Sequence, residues 1–252
     1  MSKKPAKSTT NRTTKKATKK AAKKSPTSVK LPQVDPADKR RAKRIRDALA
    51  KHYPDAHCEL DYTAPHELLI ATILSAQCTD VAVNKATPAL FKKFPSPADY
   101  AKSTPEAIEP YVKTLGFYRN KAKSVHAAMS AVESEFDGNI PETMEELLTL
   151  RGVARKTANV VLSNAFNINL GFVVDTHVMR LSRRLGLIDE AEEGDPVKIE
   201  RKLMVLFAQE DWGLLSHLMI FHGRRACKAR MPACADHQIC KKFGQNCELC
   251  RD

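Results

Sequence analysis

Leu150-Arg151-Gly152-Val153-Ala154-Arg155-Lys156-Thr157-Ala158 decides the fold of this 252-residue chain. Apolar residues recur three or four apart on both sides of it, over 143–150 and 154–166, so the spacing predicts two helices. A short break with one glycine joins them. Gly152 allows a tight turn and a close backbone approach to a ligand. The second helix opens with unpaired N–H groups and a positive dipole end, which suit a phosphate. Arg151, Arg155 and Lys156 add formal charge. Two readings stand: an anion-binding hairpin, or a tight αα-hairpin with a basic surface.

Outward from the hairpin the helical period persists. Residues 38–52 place Ile45 and Leu49, then Tyr53, four apart, and 66–76 carry Leu68, Leu69, Ile73 and Leu74. The same pattern covers 119–136, 174–185, 196–208 and 212–222. Ser103-Thr104-Pro105-Glu106 reads as a capping box with Pro in the first turn. Connectors hold Pro95, Pro97, Gly116, Gly138, Pro141, Gly186 and Gly194. Phe172-Val173-Val174 is strand-like but too short to found a sheet. The fold is expected to be all-α.

The charge is uneven. The chain holds 42 Lys and Arg against 29 Asp and Glu, for a net +13. Eleven of the cations lie in residues 1–30, ahead of the first carboxylate, Asp35, so the remainder is nearly balanced. Residues 1–34 lack large apolar side chains almost entirely and are expected to stay disordered. They read as a solubilising tail or as a non-specific grip on a polyanion. No apolar run is long enough to span a membrane, and the start lacks a secretory h-region.

Seven cysteines would suggest disulfides until they are placed. Five form Cys227-x6-Cys234-x5-Cys240-x6-Cys247-x2-Cys250. Thiolates at that density bind Zn²⁺ or an iron–sulfur cluster. Crowding at one end, without an export signal, favours a metal site. Cys58 and Cys78, far upstream, are expected to be small buried hydrophobes.

Residues 150–158 resemble the helix-hairpin-helix of the endonuclease III family of DNA base-excision glycosylases. The likeness continues through Asn159-Val160-Val161-Leu162 to Val174-Asp175-Thr176-His177. Leu74-Ser75-Ala76-Gln77-Cys78-Thr79-Asp80 resembles the family segment that enters DNA near the damaged base. Gly116-Phe117-Tyr118-Arg119-Asn120-Lys121-Ala122 resembles the loop that wedges the duplex. His222-Gly223-Arg224 precedes the cysteines, as in the family. The resemblance spans roughly 38–240. The chain departs from the family at Ala154, where a second Gly is usual, and at Arg151, where Pro is usual.

The resemblance implies a two-lobed helix-hairpin-helix DNA glycosylase fold with a C-terminal cysteine-cluster loop. One lobe would be a helical barrel over 57–168, with the hairpin at about 143–166. The other would combine 36–56 with 169–252, including the metal loop at 227–250. The family's catalytic lysine and aspartate fall on Lys156 and Asp175. A neutral amine attacks an electrophilic sugar carbon and holds it as a Schiff base. A carboxylate stabilises the cationic sugar as the base leaves. On the residues alone, Asp175 is equally a helix N-cap and Lys156 one more phosphate contact. DNA contacts are expected from Gln77, Arg119, Lys121, Arg151, Gly152, Val153, Ala154, Arg155 and His177. Gln77 would fill the gap left by an extruded base, or be a surface amide. Asp80 would cap the helix after it, and His177 would orient the cleft or simply pack.

The family binds [4Fe–4S] with Cys-x6-Cys-x2-Cys-x5-Cys. Here only the first spacing matches, at Cys227 and Cys234; the next positions are His237 and Phe243. Two ligand sets remain: Cys227, Cys234 and Cys240 with Cys247 or Cys250, or Cys227, Cys240, Cys247 and Cys250. Zn²⁺ is the alternative, with His237 nearby. The implied activity is that of a bifunctional DNA glycosylase and AP lyase. It would excise oxidised pyrimidines from duplex DNA and nick 3′ to the abasic site by β-elimination. A monomer inside the cell and on its DNA is expected, in a bacterial cytoplasm or, alternatively, a nucleus. An adenine-excising relative would need a carboxylate within 70–76, where there is none. A non-enzymatic DNA-binding module would show no nicking.

Overall fold

A computed structural model describes residues 31–230 and 237–246. The tail reading for 1–30, and Cys234, Cys247 and Cys250, lie outside them. Among the described residues there are twelve α-helices and one 3₁₀ turn, with no strand. The helices are α1 Pro36–His52, α2 Pro65–Leu74, α3 Asp80–Lys93, α4 Pro97–Ala101, α5 Pro105–Val112 and α6 Tyr118–Phe136. They continue with α7 Met144–Leu147, α8 Arg155–Ala165, α9 Thr176–Arg184, α10 Pro196–Leu206, α11 Trp212–Arg225 and α12 Gln238–Phe243. None is long and apolar enough to cross a membrane.

The periodic runs became helices because each buries its stripe. Helix α2 is apolar on every face and is buried from Leu68 to Leu74, as a helix through the middle of a core must be. Its one hydroxyl there, Thr72, donates back to the Leu68 carbonyl at 2.7 Å. Helix α6 buries Ala122, Val125, Ala128, Met129 and Val132, and α1 buries Ala42, Ile45 and Leu49.

The buried side chains form two clusters. The first draws on α2 to α8, around Leu69, Leu90, Tyr100, Ile108, Met129 and Leu162. The second joins α1 with α9 to α12, around Ile45, Phe172, Leu181, Leu203 and Phe221. Val34, counted with the tail in the sequence, packs against the second cluster. The halves of the hairpin fall in the first cluster, whereas α9, which starts after Asp175, belongs to the second.

Local signals were misplaced at three helix starts. The capping box is at Ser96 and Asp99: the Asp99 carboxylate accepts from the Ser96 amide at 3.0 Å and from its hydroxyl. Helix α5 begins one residue later than expected, with Thr104 as N-cap and no side-chain cap bond. Asp80 is the first residue of α3, and Thr79 is its cap. Helix α12 had no apolar period long enough to announce it.

Candidate active site

Helix α8 starts at Arg155 behind Ala154, whose backbone is extended and whose side chain cannot cap. The first amides of α8 therefore lack a side-chain acceptor, the condition that suits an anion. Gly152 has φ +83°, and a Cβ there would press on the Ser124 side chain at 3.1 Å. Val153 and Leu150 are buried and tether the turn to the first cluster. Arg151, Gly152 and Ala154 are exposed.

Lys156, in the first turn of α8, is exposed and lines a small cavity of about 80 Å³. Asp175, from the other cluster, lines the same cavity, with Glu59, Thr72, Ser75 and His217. The buried pair Phe172 and Val173 anchors the chain just before Asp175. Asp175 also caps α9: one carboxylate oxygen accepts from the His177 and Val178 amides, both at 2.8 Å. The cap reading is thus correct for one oxygen, while the carboxylate lines the cavity that Lys156 also lines.

The expected DNA contacts divide. Gln77 is exposed between α2 and α3 with φ +56°, a strained conformation of the kind that persists where function requires it. Arg119 is exposed, 5.3 Å from the centre of the Tyr118 ring. Lys121 is only 6% exposed and donates to Cys78 Sγ at 2.9 Å. Arg155 is exposed and paired. Glu200, 45 residues on, holds its guanidinium in two parallel bonds of 2.9 and 3.0 Å, and Asn159 supports that carboxylate at 3.2 Å. The pair links α8 to α10 and leaves the Arg155 side chain 47% exposed. His177 does not line the cavity of Lys156; its Nδ1 faces Arg180 Nη2 at 3.1 Å, and burial pushes its pKa down against the opposing pull of Asp175.

Three groups were not singled out as site residues from the sequence. Phe117 is 68% exposed at φ +58°; its signal was its place in the segment that resembles the family's wedging loop. Arg224 of α11 bridges Glu59 and Asp80, the latter at 2.7 Å, and so joins the two clusters beside the cavity. His217 Nε2–H donates to Asn164 Oδ1 at 2.7 Å; burial, with the His57 and Arg224 charges, pushes its pKa down to about 4.

Of the five clustered thiols, the described Cys227 and Cys240 are both buried. Arg184 Nη1 lies 3.2 Å from Cys227 Sγ, and His222 Nε2 lies 3.2 Å from Cys240 Sγ. Donors aimed at buried sulfur fit thiolates held by a metal. His222, His237 and Cys240 bring their ligand atoms within 4.8 Å of one another. Cys58 and Cys78, expected to be small buried hydrophobes, are partly buried and pack against the first cluster.

A hairpin of this geometry, over a cavity shared by a lysine and an aspartate, defines the helix-hairpin-helix class of base-excision proteins. Residues 70–209 match the HhH-GPD superfamily, described as base excision DNA repair proteins. Endonuclease III of Synechocystis sp. is 53% identical over 201 residues, covering 80% of this chain and 90% of the relative. Endonuclease III of Bacillus subtilis is 42% identical, covering 75% and 85%. A solved structure of a trapped endonuclease III–DNA covalent intermediate superposes with TM-score 0.77 at 41% identity, covering 82% of this chain and 96% of that one. The chain belongs to the endonuclease III family. It is a DNA glycosylase and AP lyase of base-excision repair.

Proposed function

We propose that Lys156 is the nucleophile and Asp175 the charge-stabilising carboxylate, acting on oxidised pyrimidines in duplex DNA. The observation that carries this is that both side chains line one small cavity while arriving from different clusters. A damaged nucleotide turned out of the stack enters that cavity. As the glycosidic bond breaks, its electrons leave with the base, and the Asp175 charge stabilises the cationic sugar. The Lys156 amine bonds to C1′, and ring opening gives a Schiff base. Loss of a C2′ proton then expels the 3′ phosphate, nicking the strand.

The exposed Arg151, Arg119, Gln77 and Phe117 support a DNA face, with the α8 amides receiving a phosphate. Phe117 would wedge the duplex. The lobes of this reading are 57–168, and 36–56 with 169–252; the two apolar clusters support them. The enzyme would act as a monomer on the cell's DNA, its tail adding non-specific contacts.

Four of Cys227, Cys234, Cys240, Cys247 and Cys250 would hold a [4Fe–4S] cluster, which would tie the exposed Lys228, Arg230, Lys241 and Lys242 toward the phosphate backbone. The closeness of His222 and His237 to Cys240 favours a second reading, zinc. About four irons and four sulfides per chain are expected for the first; stoichiometric zinc in colourless protein would replace it.

Borohydride reduction on a duplex with one abasic site tests the nucleophile. Lys156→Ala should lose the covalent adduct and keep DNA binding. An undiminished adduct in that variant would remove Lys156 from its role.

A further inference from the structure

Lys121 and Cys78 remain unexplained by the repair chemistry. Lys121 is buried, forms no ion pair, and has Cys78 Sγ as its one hydrogen-bonding side-chain partner among the described residues, at 2.9 Å. A buried ammonium ordinarily faces a carboxylate; this one faces sulfur. Cys78 is partly buried and lines an open cavity of about 680 Å³ with Thr79, Asp80, His177 and Arg224. The cavity thus brings a small solute to Cys78, whose sulfur the Lys121 amine already contacts.

We propose that this pair is a modification site: hydrogen peroxide joins Cys78 to Lys121 through a reversible sulfur–nitrogen bond. Peroxide transfers one oxygen atom to Sγ, giving the sulfenic acid and water; sulfur is oxidised and peroxide reduced. Lys121 gives one proton to solvent, and its nitrogen lone pair attacks the sulfur. The S–O bond breaks, and the hydroxide leaves as a second water with a further proton from nitrogen. A thiol reverses the step by attacking the sulfur; nitrogen departs with a proton, and a second thiol frees Cys78 as the reductant closes to a disulfide.

The position gives the bond a consequence. Cys78 follows Gln77 and precedes Thr79, the cap of α3. Lys121 lies in the first turn of α6, four residues after Phe117. The link would pin together the two exposed turns assigned to DNA, a consequence that rests on the reading in the preceding subsection; the cross-link itself does not.

Full-length protein treated with peroxide, alkylated and digested gives the test by mass spectrometry. The expected product is one joined species carrying Cys78 and Lys121, lighter than the separate peptides by two hydrogen atoms and parted by dithiothreitol. Cys78→Ser should yield no such species, and Lys121→Gln should leave Cys78 to oxidise further to the sulfinic acid. Wild-type protein in which Cys78 is sulfinic or unreacted, with Lys121 free, would overturn the proposal. Affinity for abasic duplex should fall about tenfold on oxidation and return with dithiothreitol, with Cys78→Ser treated alike as control. A joined species with unchanged affinity would uphold the cross-link and count against the DNA role of Gln77 and Phe117.

Discussion

Replacing Asp175 by Asn separates its two roles, because the structure gives each role a different atom requirement. The cap needs one side-chain oxygen, which accepts from the His177 and Val178 amides at 2.8 Å. Asparagine supplies that oxygen and caps about as well as aspartate. What the fold loses is a charge near a helix N-terminus, about 0.3–1 kcal/mol. For a domain of this size that is a melting shift of about 1–4 °C. Catalysis needs the negative charge itself. Removing a preorganised electrostatic group costs ~10²–10³ in rate, or about 2.7–4 kcal/mol of barrier. Asp175→Ala should lose the rate to the same extent and also the cap, about 1 kcal/mol more of stability. The pair should match in single-turnover excision of an oxidised pyrimidine and differ in calorimetric melting. Near-normal excision by Asp175→Asn would refute the reasoning and leave Asp175 a cap alone.

Glu200→Gln should destabilise the fold by about 1–3 kcal/mol, because Arg155 loses a charged, doubly bonded acceptor yet is exposed enough to rehydrate; an unchanged urea midpoint would contradict the clamp. His217 has a folded pKa near 4 against an ordinary value of 6.5, so between those values the unfolded chain holds a proton that the fold refuses. Stability should be full above about pH 6.5 and decline below it, by up to about 2 kcal/mol at pH 5. His217→Gln should flatten that part of the profile, and parallel profiles for the two proteins would dismiss the assignment.

The sequence disclosed what depends on neighbours in the chain. Residues 119–136 were legible because Ala122, Val125, Met129 and Val132 repeat at helical spacing, and the structure begins that helix one residue earlier, at Tyr118. Asp175 could be placed at a helix start because Phe172-Val173-Val174 precedes it. Partnerships across the fold left no such mark. Arg155 looked like a phosphate ligand beside Lys156, and only packing reveals Glu200 on α10. Lys121 looked basic and exposed, but its helix turns it inward toward Cys78. Arg224 was noticed for its place before the cysteines, whereas its bridge to Glu59 and Asp80 depends on three segments meeting. Phe117 was legible only as part of the loop segment, because an isolated apolar residue in a loop has no period to show how exposed it is.

Among the described residues, four other than glycine adopt left-handed backbone: Gln77, Phe117, Asp137 and Asn167. Asp and Asn tolerate that region well, but Gln and Phe do not. Gln77 lies just ahead of α3 and its cap Thr79, and Phe117 is the N-cap of α6. Folding has thus already spent the conformational freedom of both tips before any duplex arrives. Selection for thermostability alone would drift toward glycine at both positions, relaxing the backbone and discarding the side chains that would probe the duplex. Stability and lesion search therefore pull these two turns in opposite directions.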